Sequence, residues 1–331
     1  MLDSKVEQFC LSKDNTNCIK GIFAILVLFH HLYQETLIFY GNILGEALQC
    51  LGYLSVAMFF FISGYGLNES YKKSGKKYLS HFLRNRVLPL YAVIILMNFI
   101  YLIVKLLLDI PISKYIIIKS FFFGGTIIEK GWYLQTILLF YIFFYAVYST
   151  IKKSKNKIVA IFILICLYII ICKVLKLSSI WYEGVFAWVL GIVFSQYIFK
   201  FEKIILHNVK CFAFLLIVFL ITMISQIVVK NTNIVLLIKM ISTVVFSLLM
   251  VNIVSFVKIN YSVTRFLGGL FTEIYVTQGI FLMLFHSNIF YINNALWYIL
   301  SVTICTILFS FLIHPVFDGL MNIVKRGVSK V

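Results

Sequence analysis

Long apolar runs separated by short polar segments recur along the whole chain; LPLYAVIILMNFIYLIV (88–104) and WYLQTILLFYIFFYAV (132–147) are typical. The runs are continuous rather than alternating, which predicts membrane-spanning α-helices and excludes an outer-membrane β-barrel. Ten spans are expected, at 20–40, 50–67, 88–107, 131–150, 158–175, 182–199, 211–229, 234–257, 267–287 and 294–314. Each is near the roughly 20 residues that cross about 30 Å of hydrocarbon. The stretch 111–128 (PISKYIIIKSFFFGGTII) is apolar too, but Pro111, two lysines and a glycine pair break it. It reads as an interfacial or re-entrant element ahead of the fourth span.

The polar intervals orient the spans. With the N-terminus in the cytoplasm, the inner segments hold Lys5, Lys13 and Lys20, then Lys72, Lys73, Lys76, Lys77, Arg84 and Arg86, then Lys152, Lys153, Lys155 and Lys157. Lys200, Lys203, Lys210, Lys258, Arg265, Lys325, Arg326 and Lys330 bring the set to 21 of the 29 basic residues, every arginine among them. Cytoplasmic loops collect Lys and Arg, so both termini are expected inside, with an even number of spans. The expected organisation is an all-α polytopic chain: a cytoplasmic segment 1–19, a single transmembrane domain 20–314 and a cytoplasmic tail 315–331. Residues 1–17 lack the basic start, apolar middle and small-residue cleavage site of a signal peptide, so the first apolar helix is expected to remain in the mature protein.

Composition agrees. The chain is 62% hydrophobic and 12% charged, against about 25% charged in soluble proteins. It lacks the polar residues to cover a water-exposed surface. A net charge of +17 would suggest nucleic acid on a soluble protein; here topology accounts for it, and no nucleic-acid partner is expected. The seven cysteines have no metal-ligand spacing, and neither a metal nor a disulfide framework is expected.

The first span, KGIFAILVLFHHLYQE (20–35), carries ionisable groups at membrane depth. Lys20 and His31 are eleven residues apart, which is three helical turns plus about 20°, so their side chains share a line. The rise between them is about 16 Å, half the hydrocarbon thickness. If Lys20 marks the cytoplasmic boundary, His31 sits near the midplane and His30 points about 100° away. A polar group held there faces protein or a water-filled cavity, which makes His31 a functional candidate, the alternative being an imidazole hydrogen-bonded across helices. His30 reads as packing or as tuning of its neighbour. Glu35, four residues beyond His31, either orients that ring or marks the outer boundary.

At these residues the chain resembles the membrane acyltransferase-3 family, multi-span enzymes that move acetyl or other short acyl groups onto sugars. The family begins with a basic residue, ten intervening residues and a catalytic His; K-GIFAILVLFH-H fits, with Lys20 in place of the usual Arg and His31 as the His. FFFISGY (59–65) is similar to the family's FFxxSGF-like stretch, ending in Ser63, Gly64 and Tyr65. KKYLSHFLRNRVLPLY (76–91) matches a basic loop that enters a proline-started helix, and carries Arg84, Arg86, Pro89 and Tyr91. GWYL (131–134) resembles W-[FY]-L, and LGGLFTEIYVTQ (267–278) resembles LGxxSYxIYLxH. Two departures stand out: Glu273 at a usually neutral position, and Gln278 where many members have His.

The resemblance implies an O-acyltransferase in a bacterial plasma membrane. Its donor would be cytoplasmic acetyl-CoA or another acyl-CoA, and its acceptor a hydroxyl of a cell-surface polysaccharide or its lipid-linked precursor. His31 would be the general base, or would carry the acyl group itself. Arg84 and Arg86, with Lys20, suit the nucleotide phosphates, because guanidinium pairs bidentately with phosphate; the alternative is that all three only follow the positive-inside distribution. Lys72, Lys73, Lys76 and Lys77 read instead as positive-inside residues. Ser63, Trp132 and Tyr275 are candidate oxyanion donors; Tyr65, Glu273 and Gln278 join Trp132 and Tyr275 as substrate-contact candidates. Ser-Gly close packing and interfacial aromatics are the structural alternatives for Ser63 and Trp132. Glu273 is either a buried acid or a partner of Arg265. A glycan transporter or flippase would also fit ten spans, but such proteins often show inverted repeats with broken helices, and no repeat is visible.

Overall fold

The computed structural model describes residues 11–122, 127–257, 259 and 261–327. Among them the structure is all-helical, without a strand. In chain order the helices are α1 (Lys13–Thr36), α2 (Ile43–Ser80), α3 (Leu88–Leu107), α4 (Lys114–Phe122), α5 (Trp132–Thr150), α6 (Ser154–Val174) and α7 (Phe186–Gln196). They continue with α8 (Ile198–Ile204), α9 (Val209–Val228), α10 (Thr232–Phe256), α11 (Ser262–Gly269), α12 (Phe271–Leu284) and α13 (Ala295–Gly327). A π-helical turn, Leu83–Val87, leads into α3, and a 3₁₀ turn, Ser179–Trp181, precedes α7.

Among the described residues, eight helices are long and apolar enough to cross a membrane, or up to ten if two bent pairs each count as one span. The expected order of spans is therefore recovered, with differences at the ends. The expected sixth span is a bent pair, Ser179–Gln196 with α8, turned by 96°; the ninth is α11 with α12, turned by 73°. Helices also outrun their apolar cores. The first begins at Lys13, the second reaches Ser80, and the last passes residue 314 and runs on to Gly327. Hydropathy marks only the part that needs hydrocarbon, whereas a helix continues as long as its backbone bonds and caps allow. Asn42, for example, caps α2 by accepting from the amides of Leu44 and Gly45. Gly75, at φ +51°, then interrupts α2 among its lysines, a conformation that costs glycine little. The apolar stretch before the fourth span contains the nine-residue α4; its glycine pair, like Lys5, Lys258 and Lys330, lies outside the described residues.

The chain divides into two compact units, each drawn from three stretches. The first takes in the stretch ending at Phe23, then Cys50–Tyr78 and Val147–Gly269. Within it α2 and α7 touch backbone to backbone: a methyl group at Gly64 would overlap the Trp188 carbonyl oxygen, and one at Gly191 the Phe61 carbonyl oxygen. Small residues permit that approach, as expected of helices packed in lipid. α9 lies against α10 and leaves Phe214, Ile217, Leu220, Ile221 and Ile224 exposed. An apolar face of that extent suits hydrocarbon, not water.

The second unit comprises Ala24–Gln49, Leu79–Ala146 and the stretch from Leu270. α3, α12 and α13 pack on one another. Leu28 and Leu32 of α1 form a core with Leu282 of α12 and Tyr298 and Val302 of α13.

Candidate active site

In the second unit His31 is buried on α1. Its Nδ1 lies 3.2 Å from the Gln34 side-chain oxygen, one helical turn further along. His30 is buried as well, and its Nδ1–H donates to the Leu48 carbonyl at 3.0 Å. That bond gives His30 a structural role, tying α1 to the start of α2. Glu35 turns elsewhere: its carboxylate is 3.9 Å from Lys130 Nζ and 3.6 Å from His286 Nδ1. Glu35 is thus paired away from the His31 ring; the residue on that ring is Gln34. His286 in turn stacks on Tyr298, ring centres 4.1 Å apart.

A second group surrounds Tyr275. Its hydroxyl donates to the Lys130 carbonyl at 2.6 Å, and its ring meets that of Tyr133 edge-on at 5.4 Å. Lys130 has φ +58°, a left-handed conformation that costs a non-glycine residue of order 1 kcal/mol and persists where neighbours impose it. Tyr101 donates to the Val276 carbonyl at 2.8 Å. Gln278 is fully buried; its amide nitrogen donates to the Tyr275 carbonyl, and its side-chain oxygen has no hydrogen-bond partner among the described residues. Trp132 opens α5, half-buried, beside Tyr133.

Glu273 pairs with His314 rather than Arg265: the carboxylate accepts from His314 Nδ1 at 2.6 Å, and Asp318 lies 3.5 Å from Nε2. Arg265, in the first unit, pairs with Asp14 at 3.4 Å. Arg84 sits in the π-helical turn ahead of α3; its Nε is buried without a hydrogen-bond partner among the described residues. Arg86 in the same turn is exposed.

Lys20, Ser63 and Tyr65 belong to the first unit. Lys20 is half-buried, and Tyr65 is buried against Phe194. The Ser63 hydroxyl is buried without a hydrogen-bond partner among the described residues, next to the Gly64 close approach. This unit also contains a polar network that gives side-chain partners to Lys72 and Lys157, expected only as positive-inside residues. Glu69 accepts from Ser195 Oγ and Lys72 Nζ, both at 2.7 Å; Asn68 donates to Ser195 Oγ at 2.8 Å and accepts from Tyr148 at 2.7 Å. Lys157, 4% exposed, donates to the Tyr71 hydroxyl and lies over the Tyr71 and Tyr148 rings. Expected positive-inside residues thus include two lysines, Lys72 and Lys157, with specific partners.

Sequence reasoning passed over Gln34, Lys130, His286, His314 and this network. Gln34 was within reach of a helical-register argument, being one turn from His31. So was the Glu69–Lys72 pair, at i and i+3 on one helix; the others are brought to their partners by chain folding.

Residues 14–314 match the acyltransferase-3 family, described as an acyltransferase domain, so nearly the whole chain belongs to that family. The chain is a multi-pass membrane acyltransferase. No curated protein and no solved structure matches it.

Proposed function

We propose that this acyltransferase moves an acetyl or other short acyl group from cytoplasmic acyl-CoA to a hydroxyl of a cell-surface polysaccharide or its lipid-linked precursor, in a bacterial plasma membrane with both termini inside. The observation that carries this reading is the buried His31 imidazole, at the family's motif position and one helical turn short of the Glu35–Lys130–His286 charge group. The Nε2 lone pair takes the hydroxyl proton as the acceptor oxygen attacks the thioester carbon. The tetrahedral intermediate then expels the coenzyme A thiolate, which recovers the proton from Nε2. A positioned base of this kind contributes about 10²–10⁴-fold. Arg84, with an unsatisfied guanidinium nitrogen, and Arg86 supply charge for the nucleotide phosphates. The orphan acceptor on Gln278 suits a hydroxyl donor, since a buried oxygen without a partner costs about 1–3 kcal/mol until one arrives.

The test is transfer of labelled acetyl from acetyl-CoA by membranes carrying the wild-type chain or His31→Ala. Loss of transfer at an unchanged protein level supports the reading; undiminished transfer removes His31 as the base.

A further inference from the structure

We infer that Gln34 is the positioning residue for His31: its amide oxygen holds the proton on Nδ1, so that Nε2 presents the lone pair. This rests on the proposed role of His31 and names what makes that ring competent.

Three observations converge on it. Gln34 Oε1 lies 3.2 Å from Nδ1, on the same helix and three residues on, the spacing at which helical side chains meet. The other candidates are occupied elsewhere. Glu35, the one carboxylate within a turn, faces Lys130 and His286; His30 donates its own Nδ1–H to the Leu48 carbonyl. Finally, His31 is buried, where few waters compete to set the tautomer.

The chemistry explains why a partner is needed. A neutral imidazole carries one proton, and whichever nitrogen holds it cannot act as base. In free histidine the proton favours Nε2, which would block the nitrogen furthest from the backbone. An acceptor on Nδ1 reverses that preference, as carbonyl and carboxylate partners do for other functional histidines. Gln34 is a neutral acceptor. Gln34 touches neither donor nor acceptor substrate in this scheme; it acts through His31.

The experiment uses the full chain in nanodiscs, labelled with ¹⁵N-histidine, with the His31 resonances identified by their loss in His31→Asn. Long-range proton–nitrogen correlation then reads which ring nitrogen is protonated. Wild type and Gln34→Glu, which keeps an acceptor, are expected to show the proton on Nδ1. Gln34→Met, similar in length but without an amide, is expected to move it to Nε2. Transfer assays on the same preparations are expected to show kcat lowered about 10–100-fold in Gln34→Met with KM within twofold, and activity within about fivefold of wild type in Gln34→Glu. An unchanged tautomer in Gln34→Met, or a proton on Nε2 in the wild type, overturns the inference. The tautomer readout does not require His31 to be catalytic, so it decides this point even if His31→Ala retains transfer. Should Gln34→Met not fold, Gln34→Leu and Gln34→Ser carry the same comparison.

Discussion

Glu273 and His314 meet at 2.6 Å although 41 residues separate them, the carboxylate buried on α12 and the imidazole half-exposed on α13. The bond joins two helices of the second unit at a point where hydropathy alone would place an uncompensated acid. Removing the imidazole strands the carboxylate. His314→Ala is expected to lower the unfolding free energy in detergent by about 1.5–3 kcal/mol, the range for hydrogen bonds to charged groups. Asp318→Asn, which alters only the exposed 3.5 Å contact, should change it by less than about 0.5 kcal/mol. Thermal unfolding of the two variants side by side checks the contrast.

Gly64 and Gly66 differ by two positions and should differ sharply in tolerance. A methyl at Gly64 overlaps the Trp188 carbonyl, whereas at Gly66 nothing lies within 4 Å. Gly64→Ala has to push α7 away from α2, a cost of about 3 kcal/mol or more. Gly66→Ala should be neutral or stabilising by up to about 1 kcal/mol through helix propensity. Yield of monodisperse protein after solubilisation measures both, and equal yields would argue against the close approach.

The Asn68–Ser195–Glu69–Tyr148 network predicts non-additivity. Tyr148→Phe removes the donor to Asn68 Oδ1 and should cost about 1–3 kcal/mol. Once Asn68 has been replaced by Leu, the same Tyr148→Phe change should cost less than about 0.5 kcal/mol, since the stranded acceptor is gone. A double-mutant cycle yielding no coupling would mean the network contributes little.

Lys20 replaces the Arg common in the family. If Lys20 serves the donor phosphates, as the resemblance implies, Lys20→Ala raises KM for acetyl-CoA about tenfold with kcat changed less than threefold, and Lys20→Arg stays within about threefold of wild type on both. A fall in kcat alone for Lys20→Ala would place that amine nearer the reacting atoms than the donor phosphates.

If both termini lie inside, as proposed, single cysteines introduced at Lys76 and Lys153 resist an impermeant thiol reagent in intact cells and react after permeabilisation. One at Lys114 should react from outside. The opposite pattern would invert the topology and, with it, the side on which the donor arrives.

Much of this protein was readable along the chain. Hydrocarbon demands about 20 apolar residues per crossing, so the spans and their order follow from local composition. A helical register is equally local: eleven residues fix the relation of Lys20 to His31 on one uninterrupted α1. The bends were less visible, because a pair such as α11 and α12 keeps an apolar composition through its 73° turn. Partner choice between distant segments was not readable. Glu35 had equal reason, on the helix alone, to face His31; Lys130 and His286, supplied by distant segments, draw it away. Lys157 reads as one more loop lysine until Tyr71 and Tyr148 enclose it. A membrane imposes its solvent on every residue independently, which is why the sequence reports it; hydrogen bonds need two groups to arrive together, and their meeting depends on the folded path of the chain.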